Sequence, residues 1–139
     1  MSTVETARRL HENPLAPQPA ALVDIGGGVS YAVAQRQARY SLMGNGATAG
    51  DRMQSAIFAA AAAVEETGAT PLVITVYWGA GDSKWFGDLS QVEELVKATS
   101  EACETLGVAW GAGETQVLRE IVNENAIHLV ASCVGVKQT

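Results

Sequence analysis

Residues 70–78 constrain the fold most, because they read Thr-Pro-Leu-Val-Ile-Thr-Val-Tyr-Trp with apolar side chains at both odd and even positions. A strand with this pattern is buried on both faces. Helical patterns precede and follow it, at 51–67 and 89–106. Further strand patterns lie at 21–25, 29–43, 108–110 and 127–136. This order predicts an α/β (α+β) fold in which two main helices pack on a single mixed sheet.

Both helices carry recognisable signals. In the first, Met53, Ile57 and Val64 recur at helical spacing, and five consecutive alanines in its middle allow a close approach to the sheet. In the second, Ser90-x-x-Glu93 matches a capping box at its start, and Gly107 is a typical C-terminal stop.

Composition limits the possible classes of protein. The chain has 139 residues, of which 47% are hydrophobic, enough for one domain with a real core. Prolines at 14, 17 and 19 predict an N-terminal arm over 1–20, which leaves 21–139 as the domain. The net charge of −6 and the absence of a basic stripe argue against nucleic-acid binding.

Localisation follows from what the sequence lacks. No apolar run approaches the ~20 residues of a membrane span, and the N-terminus has no apolar segment of the signal-peptide kind. The two cysteines, Cys103 and Cys133, form no disulfide framework and fit the core. We therefore expect a soluble cytoplasmic protein with no membrane partner.

A glycine-rich segment, Gly44-Asn-Gly-Ala-Thr-Ala-Gly50, follows a strand and precedes a helix. It fits Gly-x-Gly-x-x-Ala, in which backbone amides approach phosphate at a helix N-terminus. It is equally consistent with a flexible turn. A dinucleotide-binding fold is less favoured, because no acidic residue ends the next strand to hold a ribose.

A second glycine-bearing segment, Gly111-Ala-Gly-Glu-Thr115, follows a short strand and is predicted to be a loop. Its carboxylate and hydroxyl could coordinate magnesium or hydrogen-bond a polar substrate. A plain turn with two solvated side chains explains the same residues.

Three stretches together point to a family. Gly68-Ala-Thr-Pro-Leu72 leads into the buried strand, 102–107 ends a helix, and Glu114-Thr115 runs on to Ser132-Cys-Val-Gly-Val136. In order and spacing, 50–136 resembles the aminoimidazole ribonucleotide synthetase superfamily, whose cyclo-ligase acts in purine biosynthesis. The resemblance implies an N-terminal ATP-binding-type domain that pairs its sheet with a second copy. It also implies a separate C-terminal domain or chain, without which this chain alone is expected to be inactive.

The resemblance assigns roles to particular residues. Glu114 and Thr115 would contact substrate, Asp51 and Glu114 would hold Mg²⁺, and the residues expected to hold ATP are Gly44, Asn45, Gly46, Thr48 and Gly113.

This chain departs from the family pattern at the phosphate loop, which has no lysine here, and at Ser55 and Ala63, where the family usually has aspartates. The first interpretation is that the chain is the N-terminal part of an ATP-dependent enzyme of the cyclo-ligase type. The alternative is a non-catalytic dimerisation or nucleotide-sensing module of the same fold.

Overall fold

The fold is organised around one mixed sheet. The computed structural model describes residues 19–41 and 48–138. Within them the sheet has six strands, in the spatial order β1-β2-β6-β3-β4, and β5 also pairs with β3. The strands are β1 (Ala21–Gly26), β2 (Val29–Ser41), β3 (Thr70–Ala80), β4 (Ala109–Trp110), β5 (Glu114–Val117) and β6 (Ala126–Gln138). The mixed sheet predicted from the sequence is confirmed.

The long strands pair antiparallel and the short ones parallel. β1 with β2, β2 with β6, and β6 with β3 are antiparallel, whereas β4 and β5 run parallel to β3. The β1–β2 turn is a run of glycines, in which Gly27 has a φ of 65° that other residues rarely adopt. Because β4 and β5 both pair with β3, the chain segments that contain them lie along β3.

Two long helices cover one face of the sheet, here called the helical face. They are α1 (Ala49–Glu66) and α3 (Leu89–Leu106), and the short α2 (Lys84–Gly87) lies between β3 and α3. Met53, Ile57 and Val64 are all fully buried in the core beneath α1. The helical spacing predicted from the sequence is confirmed, and α1 begins two residues earlier than predicted.

α1 approaches the sheet closely, as its alanines predict. Gly135 of β6 lies directly beneath it, where a Cβ atom would come 2.5 Å from Cγ1 of Val64 and 2.6 Å from the carbonyl oxygen of Thr70. Only glycine fits there. A tertiary hydrogen bond also joins the two helices, because the Gly50 amide donates to Oε1 of Glu94 at 2.8 Å.

The N-cap of α3 differs from the prediction. Asp88 caps the helix, and its Oδ1 accepts from the amides of Ser90 at 3.0 Å and Gln91 at 3.4 Å. The hydroxyl of Ser90 also donates to this carboxylate, and this hydrogen bond is the main cause that lowers the pKa of Asp88. The predicted Ser90–Glu93 capping box is therefore replaced by a cap two residues earlier. Gly107 ends the helix with a φ of 68°, as expected.

The opposite face, here called the open face, has no covering helix among the described residues. Strand alternation and pairing assign its side chains. On the three long strands they include Tyr31, Val33, Gln35, Gln37, Arg39, Val73, Thr75, Tyr77, His128, Val130, Ser132, Val134 and Val136. A small second core covers one end of it, where Leu118 and Val122 from the β5–β6 connection pack with Tyr77.

The described part of the chain contains no helix that is both long and apolar enough to cross a membrane.

Candidate functional site

The candidate site is a pocket on the open face, where β3, β6 and the start of β5 meet. Its volume is about 190 Å³. It is lined by Thr75, Val76, Tyr77, Ala112, Gly113, Glu114 and Ser132, and is called the Glu114 pocket below.

Strand pairing brings the polar residues of the pocket together. Thr75 of β3 lies directly opposite Ser132 of β6, and Gln35 of β2 lies on the other side of Ser132. Residues paired in this way point to the same face. A polar row therefore crosses three strands of the open face, beside the apolar row of Val33, Val134 and Val73.

β5 adds the carboxylate. Glu114 pairs with Tyr77, so its side chain lies on the open face beside the polar row. Thr115 pairs with Trp78, whose side chain belongs to the core of the helical face. The two residues that the sequence predicted as one catalytic pair therefore point to opposite sides of the sheet, and only Glu114 lines the pocket.

The glycines of this segment allow it to approach β3. The Gly111 amide donates to the carbonyl oxygen of Ile74 at 2.7 Å. A Cβ atom at Gly113 would lie 2.8 Å from the carbonyl oxygen of Val76, closer than side chains tolerate. The sequence predicted a loop over 111–115, but the close approach lets Glu114 and Thr115 join the sheet as the start of β5.

Tyr77 forms the inner wall of the pocket. It is 1% exposed, and its hydroxyl has no hydrogen-bond partner among residues 19–41 and 48–138. Burial, and to a lesser extent the negative charge of Glu114, raises the pKa of Tyr77 to about 12. The phenol therefore stays protonated at neutral pH. Its ring packs beside Gly79, where a Cβ atom would come 2.9 Å from Cε1 of Tyr77.

Thr48 and Asp51, predicted as site residues in and beside the first glycine-rich segment, do not line the pocket. Gly44, Asn45 and Gly46 fall outside the described residues. Thr48 and Asp51 form a capping box at the start of α1: the Asp51 amide donates to Oγ1 of Thr48 at 3.0 Å, and the Thr48 amide donates to Oδ2 of Asp51 at 3.3 Å. Both side chains thus have a structural role at the helix N-terminus.

The two predicted metal ligands are not brought together. Asp51 begins a helix on the helical face, whereas Glu114 lies on the open face. Nowhere in 19–41 or 48–138 do three His, Cys, Asp or Glu residues cluster in a way that could hold a metal ion.

The cysteines are core residues, as predicted. Cys103 and Cys133 are both free and buried. Burial raises the pKa of the Cys103 thiol. Burial is also the main cause that raises the pKa of Cys133 to about 11. Protonated buried thiols are poor nucleophiles, so neither is a candidate catalytic residue.

Sequence reasoning missed Thr75, Tyr77 and Ser132 as site residues. The available signal was a polar residue at the centre of each of two apolar strand patterns, Thr75 and Ser132. The pattern alone could not pair them, because strand register is a long-range property.

A family model matches most of the chain. The AIR synthase related protein, N-terminal domain, matches residues 19–137. A search of curated proteins gives no match.

Solved structures show the same fold at low identity. ThiL of Aquifex aeolicus, complexed with AMPPCP and TMP, matches with a TM-score of 0.70 and 13% identity over 97% of this chain and 41% of its own. PurL of Thermotoga maritima, complexed with ATP, gives 0.63 and 20% identity over 86% of this chain and 20% of its own. A chain of the HypE–HypF complex gives 0.60 and 21% identity over 83% of this chain and 35% of its own. The chain thus spans less than half the length of each of these structures.

Proposed function

Because this chain belongs to the AIR synthase related proteins and matches their N-terminal domain, we propose that it is the nucleotide-binding part of an ATP-dependent enzyme of the cyclo-ligase type. The observation that carries the proposal is the Glu114 pocket, in which a glycine-bearing segment presents a carboxylate beside two hydroxyls. Two structural relatives support it, since one is complexed with ATP and the other with AMPPCP.

The proposed reaction uses ATP to activate an amide. The terminal phosphoryl group passes to the amide oxygen, an amine nitrogen then attacks the same carbon, and phosphate leaves as the ring closes. Catalysis of this kind rests on positioning and electrostatics. In this proposal Glu114 and Gly113 contact the bound molecule in the pocket, whereas Thr115, whose side chain points to the opposite face, does not.

The phosphates are assigned to the first glycine-rich segment. In this proposal Gly44, Asn45, Gly46 and the hydroxyl of Thr48 contact the phosphates, whereas the amides of Thr48 and Gly50 already donate to the carboxylates of Asp51 and Glu94. A C-terminal domain or a second chain would complete the substrate site, in keeping with the partial coverage of the structural relatives.

The described residues in and around the pocket do not form a magnesium site. The polar neighbours of Glu114 in the pocket are hydroxyls, and the carboxylate of Asp51 is engaged in a helix cap on the other face. Mg²⁺ prefers one or two carboxylates with near-octahedral geometry. We therefore derive no step through a metal ion.

The open face is also the proposed dimer interface. Val33, Val134 and Val73 form an apolar row across β2, β6 and β3, and Tyr31 beside them is 42% exposed. A second copy of the chain would remove this surface from water.

A non-catalytic dimerisation or nucleotide-sensing module is the second candidate. The observation that favours it is the lack of a Lys or Arg side chain in the pocket lining, together with the capping role of Asp51. A dinucleotide-binding domain is not favoured, because β3 is antiparallel to β6, whereas that fold uses a mostly parallel sheet.

Calorimetric titration with ATP tests the proposal. We expect binding with and without Mg²⁺, weakened at least about tenfold by Glu114→Ala because charge-assisted hydrogen bonds are lost. Glu124→Ala is the matched control, an exposed carboxylate outside the pocket. The absence of binding at millimolar ATP by the folded wild-type protein would contradict the proposal.

A further inference from the structure

We infer that the Glu114 pocket binds the vicinal diol of a ribosyl group, an inference that deepens the proposed function and rests on it. The size of the pocket gives the first reason. Its volume of about 190 Å³ is below the ~300–1,000 Å³ of pockets that enclose drug-sized ligands. It therefore takes one fragment of a nucleotide, and the remainder lies outside it.

Charge decides against the phosphates as that fragment. The pocket contains the carboxylate of Glu114 and no Lys or Arg side chain among its lining residues. A phosphate beside Glu114 would meet a like charge with no cation between them, which is unfavourable at contact distance. Among the groups of a nucleotide, the one next to Glu114 is therefore a neutral group that donates hydrogen bonds.

The hydrogen-bonding groups of the pocket complement a diol. An ionised carboxylate only accepts, and it can accept from two adjacent hydroxyls at once. The hydroxyls of Thr75 and Ser132 can both donate and accept, and no hydrogen bond within the described residues engages either of them. A carboxylate that binds ribose hydroxyls is a recurring feature of nucleotide sites.

The base is a poorer match for the same pocket. A base is commonly held by stacking on an aromatic ring as well as by its polar edge. Tyr77 is the aromatic residue in the lining, and it is 1% exposed and packed against Leu118 and Gly79. Its ring face is not available for stacking.

The diol could belong to ATP or to a second, ribosyl-bearing substrate, so the test compares three ligands. ATP, 2′,3′-dideoxy-ATP and ribose 5-phosphate are titrated against the wild type, Glu114→Gln and the control Glu124→Gln. We expect ATP to bind about tenfold more tightly than the dideoxy analogue, and Glu114→Gln to abolish that difference by weakening ATP alone. Binding of ribose 5-phosphate that depends on Glu114 would place the substrate's diol in the pocket instead.

Each other outcome is decisive. Equal affinity for ATP and its dideoxy analogue, with no Glu114-dependent binding of ribose 5-phosphate, overturns the diol inference and leaves ATP binding intact. Glu114-dependent binding of ribose 5-phosphate without any ATP binding supports the inference and overturns the proposed function. Binding of none of the three overturns both. Ser132→Ala and Thr75→Val serve as second variants, and circular dichroism checks that they fold. Each should reduce the ratio of the affinity for ATP to the affinity for its dideoxy analogue.

Discussion

At the scale of single residues, the site depends on which face of a strand each side chain occupies. Glu114 and Thr115 are adjacent in sequence, yet β5 directs them to opposite sides of the sheet. Resemblance and residue chemistry together predicted Glu114 as a site residue, and it lines the candidate pocket. They could not separate it from Thr115, because the segment was predicted to be a loop, and only the pairing with β3 imposes the alternation.

Tyr77 provides a test at this scale. Its buried hydroxyl has no hydrogen-bond partner in the described structure, so Tyr77→Phe removes an uncompensated polar group. We expect this variant to be more stable than the wild type by about 1 kcal/mol near pH 7, measured by urea unfolding. Tyr31→Phe, at an exposed tyrosine of the same face, should have little effect. A destabilised Tyr77→Phe protein would show that the hydroxyl is satisfied.

The same residue predicts a pH dependence. Burial raises the pKa of Tyr77 from the ordinary value of 10.0 for a tyrosine to about 12 in the folded protein. As pH rises from 10 towards 12 the unfolded chain loses this proton first, so the unfolded state is favoured and stability falls. The stability advantage of Tyr77→Phe over the wild type should therefore grow across this window. An advantage that stays constant or shrinks would contradict the raised pKa.

At the scale of elements, the apolar periodicity of the sequence predicted the positions of the helices well, but the residue that caps a helix was harder to predict. α3 spans Leu89–Leu106, as the sequence predicted, because its apolar spacing and Gly107 are local signals. Its cap was misassigned because both Asp88 and Ser90 are good N-cap residues, and the choice depends on the backbone conformation of Asp88, which is extended. β5 was missed because its residues pair with a strand more than thirty positions away.

The contact of α1 with β6 is testable through Gly135. An alanine there would place its Cβ against Cγ1 of Val64 and the Thr70 carbonyl, so either the helix or the strand must move. We expect Gly135→Ala to destabilise the protein by about 1–3 kcal/mol or more. Gly87→Ala is the matched control, because a Cβ atom there meets no atom within 4 Å. Equal stability of the two variants in urea unfolding would disprove the close packing.

At the scale of the whole molecule, the sheet has two unequal faces. α1 and α3 cover the helical face, while the open face combines an apolar row, a polar row and the Glu114 pocket. The sequence predicted the sheet and its helices, since both follow from periodicity. It did not predict the polar row, because Gln35, Ser132 and Thr75 are far apart in the chain and meet only through strand register.

The apolar row predicts self-association. Light scattering coupled to size exclusion should give a mass near twice 14.5 kDa. Val134→Arg places a charge in the centre of the row and should yield a monomer, because burying an unpaired charge is unfavourable. Phe58→Arg, at an exposed site of α1, should leave the dimer intact. A monomeric wild type, or a dimer unaffected by Val134→Arg, would exclude this interface.

The most direct test of the central claim is to locate the nucleotide on the sheet. In amide NMR spectra of the labelled protein, added ATP should shift the signals of Thr75, Gly113, Glu114 and Ser132, and leave Gly87 and the outer residues of α3 unchanged. These shifts should disappear in Glu114→Ala. Shifts confined to the helical face, with the pocket signals unmoved at saturating ATP, would contradict a nucleotide site on the open face.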